Sequence, residues 1–280
     1  MYAKEHNMTV SYDMDQLLKE IEKLAKDAGS IILDGSDVKI KEKTGRRDLV
    51  TSKDLEIQDM LMEKLHALVP EARFFCEEDT SFDSRHVITD PEEIGEGICF
   101  IIDPIDGTSN FVHGQMHSCT SIAMAVDEII EIGVIYDPFR RELFSACRGK
   151  GSFINGEKIP VFDEQLSDTI AVFGTAPYDD STNAPTFLLA HLLYEIASDV
   201  SRTGSAALDC CWTACGRFSL FAELSLSPWD FAAGKLIAEE TGCKVSDIDG
   251  RPLSIKRKSS VLIGRPSCVD AFLNIYSAYK

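Results

Sequence analysis

Ile98-Cys99-Phe100-Ile101-Ile102-Asp103-Pro104-Ile105-Asp106-Gly107-Thr108 is the stretch on which the fold turns. Its apolar first five residues read as a buried strand. The run then meets two carboxylates with a proline and an isoleucine between them. Proline fixes φ and offers no N–H, and the glycine that follows permits a tight backbone approach. The acids are therefore expected at the rim of a sheet, on a rigid turn, where open α/β sheets bind ligands. Two aspartates held this close repel each other unless a cation lies between them. Hard oxygen ligands at a strand end suit Mg²⁺ or a similar ion.

On the amino-terminal side, Met14, Leu17, Leu18, Ile21, Leu24, Ala28, Ile31 and Ile32 recur at helical spacing. They predict a helix over 13–33, stopped by Gly35. Ile57, Leu61, Leu65 and Leu68 predict a second helix over 52–68. Phe74-Phe75-Cys76 reads as a short strand delivering Glu77-Glu78-Asp79 to a loop, and 80–97 reads as a polar, mobile excursion. On the other side, 121–126 and 129–136 flank Asp127-Glu128, a hairpin signal. A strand over 142–146 and the turn dipeptide Asn155-Gly156 extend this into an antiparallel meander. Strands at 170–174, 218–222 and 261–264 then alternate with helices at 185–197, 205–215, 229–241 and 266–279, which predicts a partly parallel α/β layer. No repeat or low-complexity linker interrupts the chain. One continuous body over residues 1–280 is expected, an α+β half to residue 160 and an α/β half from 161.

Of 280 residues 44% are hydrophobic and 26% charged, which is enough for a substantial core. The formal net charge of −18 argues against a protein that tracks nucleic-acid phosphates. It is compatible with bound divalent cations, although solubility alone also accounts for it. The nine cysteines are odd in number, scattered, and never spaced Cys-x-x-Cys, so neither a zinc framework nor a disulfide framework is indicated. Residues 1–9 lack a hydrophobic signal core and no apolar run is long enough to cross a membrane, so the expectation is a cytoplasmic protein.

Several acids stand at structural transitions. Asp48 and Asp54 bracket a helix entrance, Glu77 follows a strand, and Asp230 opens a helix after Pro228-Trp229. Taken singly, Asp54 and Asp230 read as helix N-terminal acids that meet free N–H groups and the dipole. Glu77 alone reads as a solvated loop acid and Asp106-Gly107 as a turn. The paired acids after the apolar strand are harder to explain by packing.

Together these motifs resemble the inositol monophosphatase family of lithium-sensitive, Mg²⁺-dependent phosphatases with the fructose-1,6-bisphosphatase-like fold. The resemblance is carried by Asp48-Leu49-Val50-Thr51-Ser52-Lys53-Asp54, Glu77-Glu78, Asp103 through Thr108, and Asn110-Phe111-Val112-His113. It continues in 149–156 and Gly204-Ser205-Ala206-Ala207, and ends in Trp229-Asp230-Phe231-Ala232-Ala233-Gly234, all in family order. It implies a five-layer α-β-α-β-α sandwich. It implies that Glu77, Asp103, the Ile105 carbonyl and Thr108 hold one Mg²⁺, and that Asp103, Asp106 and Asp230 hold a second. A third ion near Glu77, and Mn²⁺ in place of Mg²⁺, stay open. It further implies that a metal-activated water attacks the phosphorus directly, with Asp54, Thr108 and Glu77 as the catalytic side chains, and no phospho-enzyme. The N–H groups of Gly107 and Thr108 would take the phosphate, as helix N-termini do. A homodimer is a further family expectation.

The resemblance gives Asp106, Gly107, Thr108, Ser205, Ala206, Glu223 and Asp230 the substrate face, with Glu223 on the ring hydroxyls of a small phosphorylated polyol. A carboxylate suits that task because it accepts two hydroxyl hydrogens. The leading expectation is inositol-1-monophosphatase. Fructose 1,6-bisphosphate, 3′-phosphoadenosine 5′-phosphate, NADP and histidinol phosphate are alternatives with the same chemistry. A catalytically silent regulatory relative would be expected to lack a metal ligand, and none is missing. Departures from the family pattern are Cys76 before the Glu pair, His117, Ser201 where relatives often carry Arg (with Arg202 following), and Ser219.

Overall fold

The computed structural model describes residues 12–45, 48–161 and 168–279. Residues 1–9, read above for a leader, lie outside them. Helix α1 (Met14–Asp34) starts where Asp13 accepts hydrogen bonds from the Asp15 and Gln16 N–H groups, and it ends at Gly35 in the left-handed region. Both are the devices that the first and last turns of a helix call for. A two-stranded ribbon, β1 (Ile40–Gly45) with β2 (Asp48–Thr51), leads into α2 (Ser52–Leu68). Ile57, Leu61 and Leu65 are buried as expected, whereas Leu68 is exposed at the helix end.

The strands β3 (Arg73–Cys76), β4 (Val87–Ile88), β5 (Ile98–Asp106), β6 (Cys119–Val126), β7 (Ile129–Asp137), β8 (Glu142–Cys147), β9 (Gly151–Ile154) and β10 (Glu157–Lys158) form an eight-stranded sheet. Its order is β10-β9-β8-β7-β6-β5-β3-β4. The meander from β5 to β10 is antiparallel, as the turn dipeptides predict. Asp127 and Glu128 both have positive φ, and so do Asn155 and Gly156. Two positive φ angles in succession mark the hairpin turns that match strand twist. The 80–97 excursion is more ordered than its polarity suggested. Val87–Ile88 adds a parallel strand to the edge at β3, and Ile88 and Ile94 are buried.

Helix α3 (Thr108–Val112) follows β5. The carboxyl-terminal half contributes β11 (Ile170–Phe173), α4 (Asn183–Ile196), β12 (Asp199–Ser201), α5 (Ala206–Ala214), β13 (Leu220–Leu226), α6 (Pro228–Glu239), β14 (Lys244–Ser246), β15 (Ser259–Gly264) and α7 (Pro266–Tyr276). Its five strands pair in the order β12-β11-β13-β15-β14. β11 runs parallel to both β12 and β13, and the remaining pairs are antiparallel. The short strands β1, β2, β12 and β14 escaped the sequence reading because they are only three to six residues long and largely polar.

The layers follow from the contacts. α1 and α2 pack on one face of the large sheet, α5 and α6 lie between the two sheets, and α4 and α7 cover the far face of the small one. This is a five-layer α-β-α-β-α sandwich. Three apolar cores fill the spaces between layers. The middle core joins Phe75, Ile101 and Phe144 of the large sheet to Phe221 and Ile263 of the small one through Ala207, Phe231 and Leu236. Each such buried side chain contributes roughly 1.5–3 kcal/mol relative to exposure, so the middle helices are held from both sides.

Candidate active site and metal centre

β5 is the pivot of the site. On one side it pairs parallel with β3 and on the other antiparallel with β6, so strand direction reverses at this point. All nine of its residues are buried. The strand does not stop at Asp103 but runs to Asp106, and the register shifts between the two. Pro104 has no N–H to offer the ladder, and the irregularity it occupies turns both carboxylates toward the same cavity. The pairing of Cys76 with Ile102 and the bond from Glu77 N–H to the Ile102 carbonyl (3.1 Å) bring Glu77 beside Asp103.

Carboxylate oxygens of Asp103, Asp106 and Asp230 lie within 4.8 Å of one another. Asp103 is only 2% exposed, and its Oδ1 is buried without a hydrogen-bond partner. Burial, reinforced by Glu77, Asp106 and Asp230, pushes its carboxyl well above the usual range. Burial, then Asp106 and Glu77, does the same to Asp230. Asp106 is pushed up to about 6 by burial, against the pull of its hydrogen bonds. Its Oδ2 accepts from the Ser205 hydroxyl and from the Ala207 N–H (2.9 Å). Asp230 Oδ2 accepts from the Ser227 N–H at 2.6 Å. A buried carboxylate with an unused oxygen among three further acids is costly. Hard, anionic oxygens converging in this way fit a divalent cation.

Asp54 stands at the entrance of α2, fully buried. Its Oδ2 accepts from Thr51 twice, from N–H at 2.7 Å and from Oγ1 at 2.5 Å. Its Oδ1 faces the Thr108 hydroxyl at 3.4 Å, while that hydroxyl also faces the Ile105 carbonyl at 3.0 Å. Burial pushes Asp54 up to about 6. Gly107 has φ 86, and a Cβ there would come within 3.1 Å of the Gly204 and His117 carbonyls, so the turn into α3 requires glycine.

The cavity beside these acids is lined by Glu77, Asp103, Asp106, Thr108, Ser205, Ala206, Glu223 and Asp230. Every residue predicted for the site therefore lies at or against one pocket, Asp54 through its contact with Thr108. Glu223 is not at a strand end, since β13 continues to Leu226, but its pairing with β15 becomes irregular just after it. It is 5% exposed and raised by burial and by Asp209 and Asp106. A Cβ on Gly174 would sit 1.7 Å from Glu223 Oε2, so only glycine leaves room for that carboxylate.

Sequence reasoning missed four participants. Lys43 on β1 contacts Glu77 at 2.9 Å and Glu78 at 2.5 Å. Burial opposes its charge, but the two glutamates outweigh burial and hold it above its ordinary value. Nothing in a polar edge ribbon signals such a contact. Asp209, buried and bonded to the Thr203 hydroxyl at 2.7 Å, lines the pocket from α5. An acid inside Ala206-Ala207-Leu208-Asp209-Cys210-Cys211 was a readable anomaly. Gly174 and Arg202 complete the wall on the Glu223 side. Cys76 is half-buried, with a thiol that burial raises well above its ordinary value, and it does not line the pocket. An unreactive thiol follows.

Residues 13–274 match the family described as the inositol monophosphatase family. The chain is 34% identical over 254 residues to inositol monophosphatase 1 of Solanum lycopersicum, covering 89% of this chain and 90% of that protein. It is 33% identical over 265 residues to Nus factor SuhB of Salmonella typhimurium, covering 93% and 95%. Among solved structures, an IMPase/NADP phosphatase complexed with Mg²⁺ and phosphate superposes with a TM-score of 0.81 at 28% identity, covering 94% of this chain and 96% of that one.

Proposed function

This chain belongs to the inositol monophosphatase family, whose members are phosphoric monoester hydrolases, and from that premise we propose that it is a Mg²⁺-dependent inositol-1-monophosphatase. The observation that carries the proposal is the convergence of Asp103, Asp106 and Asp230, with one Asp103 oxygen unpartnered, beside the Thr108–Asp54 pair. Glu77, Asp103, the Ile105 carbonyl and Thr108 would hold one ion, and Asp103, Asp106 and Asp230 another. When bound, Mg²⁺ lowers the pKa of a water ligand and offsets charge on the phosphate.

The chain's own groups then have separable tasks. Thr51 fixes one oxygen of Asp54 and leaves the other for Thr108. A hydroxyl carries one proton, which in this arrangement is shared between the Ile105 carbonyl and Asp54. When it goes to Asp54, the Thr108 oxygen is left with a lone pair to take a proton from the attacking water. A base poised near 6 suits that transfer at neutral pH. The Gly107 and Thr108 N–H groups orient the phosphate. Ser205 and the Ala207 N–H hold Asp106, and Ala206 keeps the polyol side open by its small size. Glu223, held in place by the room at Gly174, takes the ring hydroxyls. The acidic charge and free thiols suit a reducing cytoplasm, and a homodimer is carried over from the family resemblance.

Phosphate release from myo-inositol 1-phosphate, with Mg²⁺ titrated and lithium added in a parallel series, tests the proposal. Turnover that requires Mg²⁺ and that lithium suppresses is the expected result. Asp103→Asn is expected to reduce it by at least about 10³-fold while the protein stays folded. Wild-type turnover in a folded Asp103→Asn protein would refute the metal assignment. Preference for a nucleotide over the inositol ester would refute the substrate.

A further inference from the structure

Positive charge is concentrated in one short run of this acidic chain. Residues 39–47 contain Lys39, Lys41, Lys43, Arg46 and Arg47 and a single acid, Glu42. Five cations against one acid give the run a formal charge of +4, while 23 against 45 leave −22 on the rest of the chain.

The fold sets the β1 part of this run beside the pocket. The Lys39 carbonyl accepts from the Ser52 N–H at 2.9 Å, and the Lys39 N–H donates to the Ser52 hydroxyl at 3.1 Å. Ile40 pairs with Thr51, the residue that holds Asp54. Lys41 pairs with Val50, and Glu42 with Leu49, which lines the pocket. Lys41 is thus one step in register from a pocket residue, and Lys39 stands at the entrance of α2. Both are exposed. Lys43 is engaged with Glu77 and Glu78, and Lys53 with Asp34 and Glu56, whereas Lys39 and Lys41 have no carboxylate partner among the described residues. Lysines on a two-stranded ribbon also protect its edges from pairing with other chains. Edge protection works with charge of either sign, so in a chain this rich in acids it does not account for five cations against one acid.

The pocket gives such charge a task. Among the described residues, six carboxylates line it against one guanidinium, Arg202. An anionic ester approaching that surface is repelled unless positive charge stands near the mouth. Exposed charges act over about a Debye length, roughly 8 Å at physiological salt, so the charge has to lie close by. Lys39 and Lys41 meet that condition through their pairing with the 49–52 segment.

Resting on the phosphatase reading above, we propose that Lys39 and Lys41 steer the anionic phosphate ester to the pocket. They raise its concentration at the mouth and take no part in the reacting complex. Their charge therefore sets capture, read in kcat/KM, and leaves the chemical step to the residues already described.

The double variant Lys39→Gln/Lys41→Gln tests this with myo-inositol 1-phosphate at low and high ionic strength. At about 0.02 M, kcat/KM is expected to fall about three- to tenfold with kcat unchanged. At about 0.5 M the difference from wild type should vanish, because screening removes the field in both proteins. Lys39→Glu/Lys41→Glu should roughly square the loss, and Lys39→Arg/Lys41→Arg should restore the wild-type value, since the sign of the charge decides. Mg²⁺ affinity should hold or rise in the glutamine variant, the opposite sense to the ester. Equal kcat/KM in all four proteins at low ionic strength overturns the proposal. A loss that persists at high ionic strength, or that comes with weaker Mg²⁺ binding, also overturns it, since the ribbon then supports the site mechanically. Should the chain hydrolyse no ester, the phosphatase reading fails, and calorimetric binding of inorganic phosphate to the Mg²⁺-loaded protein decides. Weaker binding in the glutamine variant at low ionic strength alone retains the steering role. Binding that is equal in the two proteins, or absent, overturns it.

Discussion

α2 and α6 both begin with an acid at the third helical position that folds back on the residue before the helix, Asp54 on Thr51 and Asp230 on Ser227. Locally the two entrances are alike. In each a carboxylate satisfies an N–H that the helix leaves unpaired and sits at the favourable end of the dipole. Their surroundings separate them. Asp54 has a second partner in the same turn, the Thr51 hydroxyl, and its free oxygen meets a neutral group, Thr108. Asp230 has a carboxylate oxygen within 4.8 Å of those of Asp103 and Asp106. Capping and chemistry therefore do not compete for these residues. In each, one oxygen caps; on the proposed reading, what the carboxylate otherwise faces decides between a proton-handling and a cation-holding role.

Exchanging each acid for its amide separates the two, since asparagine keeps an oxygen for the cap. Asp230→Asn is expected to give the largest effect, with phosphate release down by at least about 10³-fold and Mg²⁺ affinity reduced in calorimetry. Its metal-free form should melt above the wild type, because one of the mutually repelling charges is gone. Asp54→Asn should lose about 10²-fold in kcat, the scale of a missing proton acceptor, and keep most of its Mg²⁺ affinity. If both variants lose Mg²⁺ to the same degree, the distinction between the entrances fails.

A pH series on the metal-free protein reads both entrances at once. Burial raises Asp54 and Asp106 from 3.8 to about 6 and Glu78 from 4.5 to about 8. The folded chain therefore binds these protons more readily than the unfolded chain. The stabilisation is complete below the unfolded values and is lost as pH rises through about 6, then about 8. His117 acts in the opposite sense. Burial lowers it from 6.5 to about 4, so its contribution is present above 6.5 and is lost as pH falls toward 4. Scanning calorimetry should find the metal-free protein more stable at about pH 5.5 than at about pH 8, by on the order of a few kcal/mol. Saturating Mg²⁺ should flatten the slope, and a flat profile without metal would contradict the account of the buried acids.

The smallest expected effect belongs to Thr51→Ala. It removes the hydroxyl that bonds Asp54 and caps the Lys53 N–H at 3.1 Å, at a cost of about 1 kcal/mol. A Tm lower by roughly 2–4 °C should accompany it. The Thr51 N–H still holds Asp54, so kcat should fall much less than in Asp54→Asn.

Sequence alone determined a good deal about this protein. The α1 span with its Gly35 stop, the α2 span, the meander with its two tight turns, and the abrupt end of an apolar run on Asp103 and Asp106 were all readable. Each is set by neighbours within a few positions, through periodicity, capping and turn chemistry. Tertiary structure decided the rest. Lys43 meets Glu77 and Glu78 across 34 and 35 residues of chain, and Ser205 reaches Asp106 across 99. The groups that Asp54 and Asp230 face beyond their helix caps, and the room that Gly174 leaves for Glu223, likewise have no local signature. Burial and charge repulsion depend on which distant groups share a small volume of low dielectric, and that is set only when the layers close around β5.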